Sequence, residues 1–434
     1  MIKYKKMKSS GLPWIKKIPA HWQITRMKEV LQNVTEKNHP DATVLSLYRE
    51  YGVLPKNSRD DNHNVTSLDT ASYKFVRVGE LVINKMKAWQ GSLGVSNYEG
   101  IVSPAYYVCH FTTDTVNKRY FHYLVRCKAY AQEFECLSTG MRIGQWDLGI
   151  DDFMCTPALI PPKSEQSAIA VYLDDQCVKI DSLITKAKAS IEEYKSWKAS
   201  LIFETVTKGL DPNAEMKDSG IEWIGKIPAD WNICKTLYIL SMTVTDGPHT
   251  TPELFDTGIP FISAEAVSCG NGRIDFSHKR GYISEAFYKE CCKKYVPQID
   301  DIYMIKSGAT TGRVAMVDTN NKFTIWSPLA VFRTNIQRML PRFLFYFLQS
   351  DAYQKQVELG WTYGTQQNIG MRTLEKLKVC LPPISVQSKI VKYLDTNCSV
   401  IDKLIVKKQS LVEDLESYKK SLIYEVVTGK RRVV

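Results

Sequence analysis

The residues of this 434-residue chain best suited to chemistry sit in five polar loops. They read "NKMKAWQGS" (84–92), "STGMRIGQW" (138–146), "DGPHTTP" (246–252), "KSGATTGR" (306–313) and "YGTQQN" (363–368). The first two supply Lys85, Lys87, Gln90, Thr139, Arg142 and Gln145. The others supply His249, Thr250, Lys306, Thr310, Thr311, Arg313, Thr365, Gln366, Gln367 and Asn368. These types suit duplex DNA. Gln and Asn can bond bidentately to adenine, and Arg to guanine, in the major groove. Lys and Thr more often hold phosphates, which positions a protein without reading sequence. Taken singly, each loop reads as readily as an ordinary turn. The set gains weight because the loops recur at matched places in two halves of the chain.

No catalytic constellation accompanies them. The chain has no G-x-S-x-G, no H-E-x-x-H and no P-loop, and "SGATTGR" (307–313) lacks the G-K-[ST] that a phosphate-cradling site needs. It also has neither a methyltransferase glycine-rich strand-turn nor an Asn-Pro-Pro-aromatic tetrad. The seven histidines show no metal spacing, so no metal site is expected. Eleven cysteines include no C-x-x-C pair, and the adjacent Cys291 and Cys292 suit neither an ordinary disulfide nor zinc. Buried or free thiols are expected.

What positions the loops is a duplication. "GLPWIKKIPAHW" (11–22) returns as "GIEWIGKIPADW" (220–231), with eight of twelve positions identical. "PPKSEQSAIAVYLDD…" (161–207) returns as "PPISVQSKIVKYLDT…" (382–428), with 24 of 47 identical and no gap. Each unit is therefore a tryptophan-proline entry, a variable segment, a double proline and a long repeated segment.

The repeated segments read as long helices over 163–207 and 384–428, free of internal Pro and Gly. Leu173, Ile180, Ala187, Tyr194 and Leu201 recur every seven residues, and Ile169, Leu183, Ile184, Ile191 and Trp197 widen that stripe. Leu394, Ile401, Leu415 and Leu422 keep the step in the second copy, with Leu404, Leu411 and Tyr418 between them; Lys408 breaks it once. Sustained sevens favour coiled-coil packing, and the obvious partner for each helix is the other copy. Such a helix would run roughly 65 Å. The variable segments are mixed. "ATVLSLYRE", "KFVRVGELVINKM", "IVSPAYYVCHF", "GIPFISAEAV", "DDIYMIKSG" and "GRVAMVDT" read as strands, and 118–134 and 341–357 as one helix each. Lys85 aligns with Lys306, Gly91 with Gly312, and Ser103-Pro104 with Ser327-Pro328.

The expected fold is α+β: two globular α/β domains related by pseudo-two-fold symmetry, separated by two long antiparallel coiled-coil helices. The boundaries expected are 1–160 for the first domain with a basic N-terminal arm, 161–210 for the first spacer, 211–381 for the second domain and 382–434 for the second spacer. The repeated tryptophans Trp14, Trp22, Trp223 and Trp231 are expected to pack rather than touch DNA.

Composition sets the class. Hydrophobic content of 44% and charged content of 24% are those of a globular protein. No run approaches the ~18 apolar residues of a membrane span, and the N-terminus lacks an apolar signal region. A cytoplasmic protein is expected. The net charge of +11 invites nucleic acid, but the excess sits mainly at the ends. Residues 1–28 carry eight Lys or Arg and no acid. A solvated tail explains that arm as well as a phosphate contact does.

In this order and twice over, the tryptophan entry, "DGPHTTP", "GIPFISAEAV", "SGATTGR" and the "LPP"-glutamine-helix segment resemble the specificity (S) subunit of type I restriction–modification systems. The resemblance covers nearly the whole chain. It implies two domains that each read half of a bipartite double-stranded DNA target. It implies helices that set the gap and dock methyltransferase (M) subunits. Restriction (R) subunits would complete an ATP-dependent endonuclease. The S subunit itself has no catalytic centre: S-adenosylmethionine is expected on M, and ATP and Mg on partner subunits. The first module departs from the pattern, lacking a clear "DGPHTTP"; "SLYREYGVLPKNSRD" (46–60) stands near that place. The rival readings are a stand-alone two-headed DNA-binding protein and a coiled-coil scaffold. A self-contained nuclease is disfavoured because no metal-carboxylate signature stands out.

Overall fold

The computed structural model describes residues 4–58, 70–142, 145–363 and 367–433. They form two units, one of Met1–Lys188 with Ser410–Val434, the other of Ala189–Gln409.

The first unit opens on a hairpin, Met7–Leu12 against Ile15–Pro19. Trp22 follows it and is fully buried. Gln23–Arg26 pairs antiparallel with Pro157–Ile160, so the two ends of the variable segment are tied together. Between them lies a four-stranded antiparallel sheet in the order Leu31–Val34, Tyr106–Phe111, Leu81–Asn84, Leu93–Val95. Side chains alternate across it as strand geometry requires. Leu81, Ile83 and Cys109 enter the main core, while Val82 and Val108 enter a second cluster under Leu45, Leu47 and Val53.

The second unit repeats this plan. Met216–Asp218 pairs with Lys226–Pro228, Trp231 is buried, and Asn232–Lys235 pairs with Lys378–Leu381. Its four-stranded sheet runs Thr245–Asp246, Leu329–Phe332, Ile302–Ile305, Val314–Met316. Ile302, Met304, Ala330 and Phe332 face one core; Tyr303, Ile305, Leu329 and Val331 face another. A three-stranded sheet built on Ile259–Ile262 is added beside it.

Buried glutamines lock each sheet domain to a long helix. Gln166 accepts from the Asn117 amide at 2.7 Å and donates to the carbonyls of Thr115 and Pro161. Gln387 accepts from the Leu340 amide at 2.8 Å and donates to Arg338 and Pro382. Both glutamines are fully buried. About two turns on, Arg119 and Tyr123 bond Asp174, as Arg342 and Tyr346 bond Asp395.

The long helices span Lys163–Lys208 and Ile384–Val427. Within the first unit their segments run antiparallel, with Asp181 paired to Lys419 at 2.7 Å and Lys188 to Glu416 at 3.3 Å. In the second unit Lys198 pairs with Asp402 at 2.7 Å. The step of seven holds at Leu173, Ile180, Ala187, Leu394, Ile401 and Leu422, all buried. Leu183, Trp197, Leu411 and Tyr418 do not join it; all four are exposed. Of the residues expected to widen the first stripe, Ile169, Ile184 and Ile191 are buried and only Leu183 and Trp197 stay outside, because a two-helix seam covers a limited stripe.

Two other expectations are corrected. The stretch 118–134 is not one helix: Lys118–Arg126 ends at Cys127, whose backbone is extended, and Lys128–Leu137 follows. Likewise Pro341–Gln349 and Asp351–Leu359 part at an extended Ser350. Neither break carries Gly or Pro, so local sequence does not announce it.

The repeated tryptophans pack. Trp22 and Trp231 are buried, and Trp14 meets Tyr130 edge-on at 4.7 Å. Each long helix ends in a left-handed glycine seated on such an entry. Gly429 (φ +69°) lies on Pro19 and Trp22, and Gly209 (φ +79°) on Trp231. No helix among the described residues is long and apolar enough to cross a membrane.

Candidate nucleic-acid interface

In the second unit the site grows from the end of the edge strand Thr245–Asp246. Asp246 is fully buried. A Cβ on the next residue, Gly247, would lie 2.0 Å from the Ile325 carbonyl oxygen, so only glycine fits. Lys294, Lys306 and His249 converge on Asp246. Lys294 Nζ bonds Oδ1, His249 Nε2 stands 3.2 Å from Oδ2, and Lys306 Nζ stands 3.3 Å from Oδ2. Oδ2 accepts no well-directed hydrogen bond, so the Lys306 ammonium acts on it by charge. Lys306 is not a free arm, since its side chain is 12% exposed. The His249 ring is 71% exposed, with its inner nitrogen on the acid.

Lys306 also anchors its own loop. Its amide donates to Pro328 O at 2.8 Å, and its carbonyl accepts from Ile369 N at 2.9 Å. Gly308 N donates to Gln367 O at 3.0 Å. The glycine loop 306–313 is thereby stitched to the hairpin Thr362–Tyr363 against Gln367–Asn368. Thr311 Oγ1 caps the loop on Gly308 O at 2.7 Å. Gly312 holds φ +94° with Gln354 packed over it, a place no side chain could take without strain. Gln367 and Asn368 stand exposed and Thr310 is half-buried. Arg313 donates to Ser268 O at 3.1 Å. Thr250 lines a cavity of about 220 Å³ with Asp246, Lys294, Tyr295 and Phe287. Thr365 and Gln366 lie outside the described residues.

The first unit builds the same junction. Leu148 N donates to Lys85 O at 3.0 Å, as Ile369 does to Lys306. The loop at 84–92 is thereby joined to the hairpin Thr139–Arg142 against Gln145–Asp147. Trp89 and Trp146 meet across the junction at 5.0 Å. Lys85 Nζ bonds Asp147 Oδ2 at 2.7 Å, which raises the lysine pKa. Lys87 and Thr139 are exposed and Gln90 is half-buried. Arg142 and Gln145 face each other in register.

The register of the two sheets also corrects the "DGPHTTP" comparison. Val34 pairs with Val108 as Thr245 pairs with Val331. The residues after Val34 therefore correspond to those after Thr245, and "SLYREYG" instead forms a separate hairpin, Leu45–Tyr48 with Gly52–Pro55. The counterpart is "TEKNHP" (35–40). There Glu36 takes His39 at 2.8 Å and Arg77 at 2.7 Å. Both stretches carry an acid followed three residues later by histidine, one residue later in the first unit than strict register would place it, and sequence reasoning passed over it. It also missed Asp147 and Lys294. Lys294 lies 48 residues from Asp246 and has no local signal.

Comparison with known proteins agrees with the geometry. Residues 248–413 match the family described as type I restriction modification DNA specificity domain. The chain is 24% identical to the MjaX type I restriction enzyme specificity subunit, so named provisionally, of Methanocaldococcus jannaschii, covering 96% of each. It is 22% identical to the MjaVIII specificity subunit of the same organism, over 96% of this chain and 94% of that one. Among solved structures, a chain from a type I R-M system complex superposes with a TM-score of 0.71 at 15% identity, over 95% of this chain and 99% of that one. The HsdS subunit of Thermoanaerobacter tengcongensis gives 0.51 at 15%, over 95% and 98%. The fold is that of these proteins.

Proposed function

We infer that this chain is the DNA-specificity subunit of a type I restriction–modification system, each unit reading one half of a split target. The observation that carries this is the repeated junction. Each unit fastens a lysine-led glycine loop to a polar hairpin on a common sheet frame. The frames agree while the exposed residues differ: Lys87 and Thr139 in one, Gln367 and Asn368 in the other. Two different heads on one frame suit a target of two unlike halves. In this reading Gln367 and Asn368 contact bases, and Thr310, Thr311 and Lys87 hold phosphates.

The chain itself is not catalytic. Methyltransferase subunits would dock on it and bring S-adenosylmethionine; restriction subunits would bring ATP and Mg. The test is an exchange of segments in the complex purified with its methyltransferase. Replacing 24–160 from a relative should change one half of the methylated sequence and leave the other intact. Replacing 233–381 should do the converse. An exchange that altered both halves, or methyl transfer by the purified chain alone, would defeat the reading.

A further inference from the structure

The entry hairpins share a fold and a sequence frame, yet their charges are opposed. Residues 4–22 hold five lysines and no acidic residue. Lys5, Lys6, Lys8, Lys16 and Lys17 are all exposed. Residues 213–231, the same element in the second unit, hold two lysines against two aspartates and two glutamates. Lys6 gives way to Glu215, Lys16 to Gly225 and His21 to Asp230, while Lys8 keeps its counterpart in Lys217. That matched pair braces the hairpin in both units, since Lys8 Nζ bonds Trp22 O and Lys217 Nζ bonds Ala229 O. The other lysines of the first hairpin make no such bond among the described residues.

The chain's last residues add to the patch. Gly429 seats on Pro19 and Trp22, and Lys430-Arg431-Arg432 leave from there. Arg432 acts electrostatically on Tyr4 at the start of the hairpin. Arg431 stacks over Tyr172, and Lys430 over Tyr424. After the other glycine, Gly209, the chain reads Leu-Asp-Pro. Among the described residues, no ion pair engages Lys5, Lys6, Lys16, Lys17 or Arg432. The nearby acid Glu165 is held by Tyr4 and His21.

We propose that this corner of the first unit is a phosphate-backbone contact, a sequence-independent DNA surface separate from the loop-and-hairpin junction. An acidic protein partner fits less well. Protein interfaces are depleted in lysine and need an apolar centre. Here the hairpin's exposed large apolar side chain is Met7, at 39%. Lysine ammonium groups on flexible stems are point charges that bind phosphate without bidentate geometry. DNA interfaces are much more positive than protein ones.

The inference rests on the DNA-recognition reading, and the experiment separates the two. The full chain, with its methyltransferase where the complex is what purifies, is titrated with cognate and random duplexes across salt. The variant carries Lys5→Gln, Lys6→Gln, Lys16→Gln and Lys17→Gln. Each lost phosphate contact removes about 0.9 from the slope of log affinity against log salt, so the slope should fall by up to about 3.6. Cognate and random binding should weaken together, leaving their ratio unchanged. An unchanged slope, or a changed ratio, overturns the proposal. So does a variant that keeps the parental slope but loses its methyltransferase, which assigns the surface to protein. Should the fourfold variant melt early, Lys16→Gln with Lys17→Gln is read alone against a fall of up to about 1.8. Failure of the parent chain to bind any duplex would instead sink the DNA-recognition reading.

Discussion

Asp246→Asn should separate two jobs that DNA-facing residues do. The substitution keeps shape and removes one negative charge from a fully buried position. Two lysines and His249 lose their common partner, but unequally. The His249 ring is 71% exposed and Lys294 49%, so both can turn to water. Lys306, at 12%, cannot. Stranding a buried charge costs about 3–5 kcal/mol. With one of the two ammonium groups trapped, a loss of about 3 kcal/mol is expected from the second unit's stability. The loops at 246–250 and 306–313 also lose their tie. On the proposed reading, a misplaced Gln367 would forfeit a bidentate contact, about 1–3 kcal/mol of discrimination.

Electrostatics alone pushes the other way. The variant carries one more net positive charge, which favours non-specific binding and can steepen the salt slope by up to about 0.9. Cognate affinity should therefore fall while affinity for random duplex holds or rises. Urea unfolding and competition between an intact target and one scrambled in its second half would measure both. Adding Lys306→Met removes the stranded charge, so the double variant should regain most stability without regaining specificity. Equal losses on both duplexes would show that Asp246 merely keeps the unit folded. Full recovery of specificity in the double variant would refute its role in placing the loops.

Gln367→Ala should relax the second half-site by about 1–3 kcal/mol and leave the first untouched, read by sequencing methylated DNA. Asp301→Ala strands Arg333, which now bonds both carboxylate oxygens at 2.7 Å; about 3–5 kcal/mol should be lost in denaturant unfolding. His122 gives a pH signature. Burial, with Arg126 and Arg119 nearby, holds its pKa well below the ordinary 6.5. The unfolded chain takes up that proton near pH 6.5 and the folded chain does not. Stability of the first unit should therefore decline as pH falls below about 6.5, by at most about 1.4 kcal/mol per unit of pH. His122→Asn should flatten that dependence; an unchanged slope would show that another group titrates.

The frame was legible and the tertiary ties were not, for a physical reason. Duplication, helix limits and strand alternation are written in local periodicity, so 163–207 and 384–428 came within two residues of the observed ends. Exposure of Leu183 and Trp197 depends on how much surface a partner covers, which no periodicity states. The five loops were chosen by residue type; main-chain bonds join the loop at 84–92 to the first hairpin and the loop at 306–313 to the second, while the loop that starts at Asp246 meets 306–313 through Lys306. Whether Lys306 reaches outward or inward turned on Asp246 and Lys294, from strands and helices far apart in sequence.

The two lysines show how one frame can carry unlike heads. Lys85 and Lys306 occupy matched places, and each gives its carbonyl to the residue after a hairpin strand. Their ammonium groups differ in partner. Lys85 takes Asp147 from the hairpin itself, while Lys306 takes Asp246 from the sheet edge. The hairpin position of Asp147 is filled in the second unit by Asn368, paired in register with Thr362 as Asp147 is with Thr139. An aspartate there is an anchor, and it repels phosphate. An asparagine there has no charge to neutralise and stands exposed, with a donor and an acceptor to offer a base edge. Moving the anchoring acid from hairpin to sheet leaves position 368 uncharged and exposed without disturbing the main-chain junction, which on the proposed reading makes it available to a base. Asn368→Asp should return the second unit to the first unit's arrangement, with two acids competing for Lys306. Its second half-site should then be bound more weakly, while methylation still reports the first half unchanged. A variant that read both halves as before would show that Asn368 does not face the DNA.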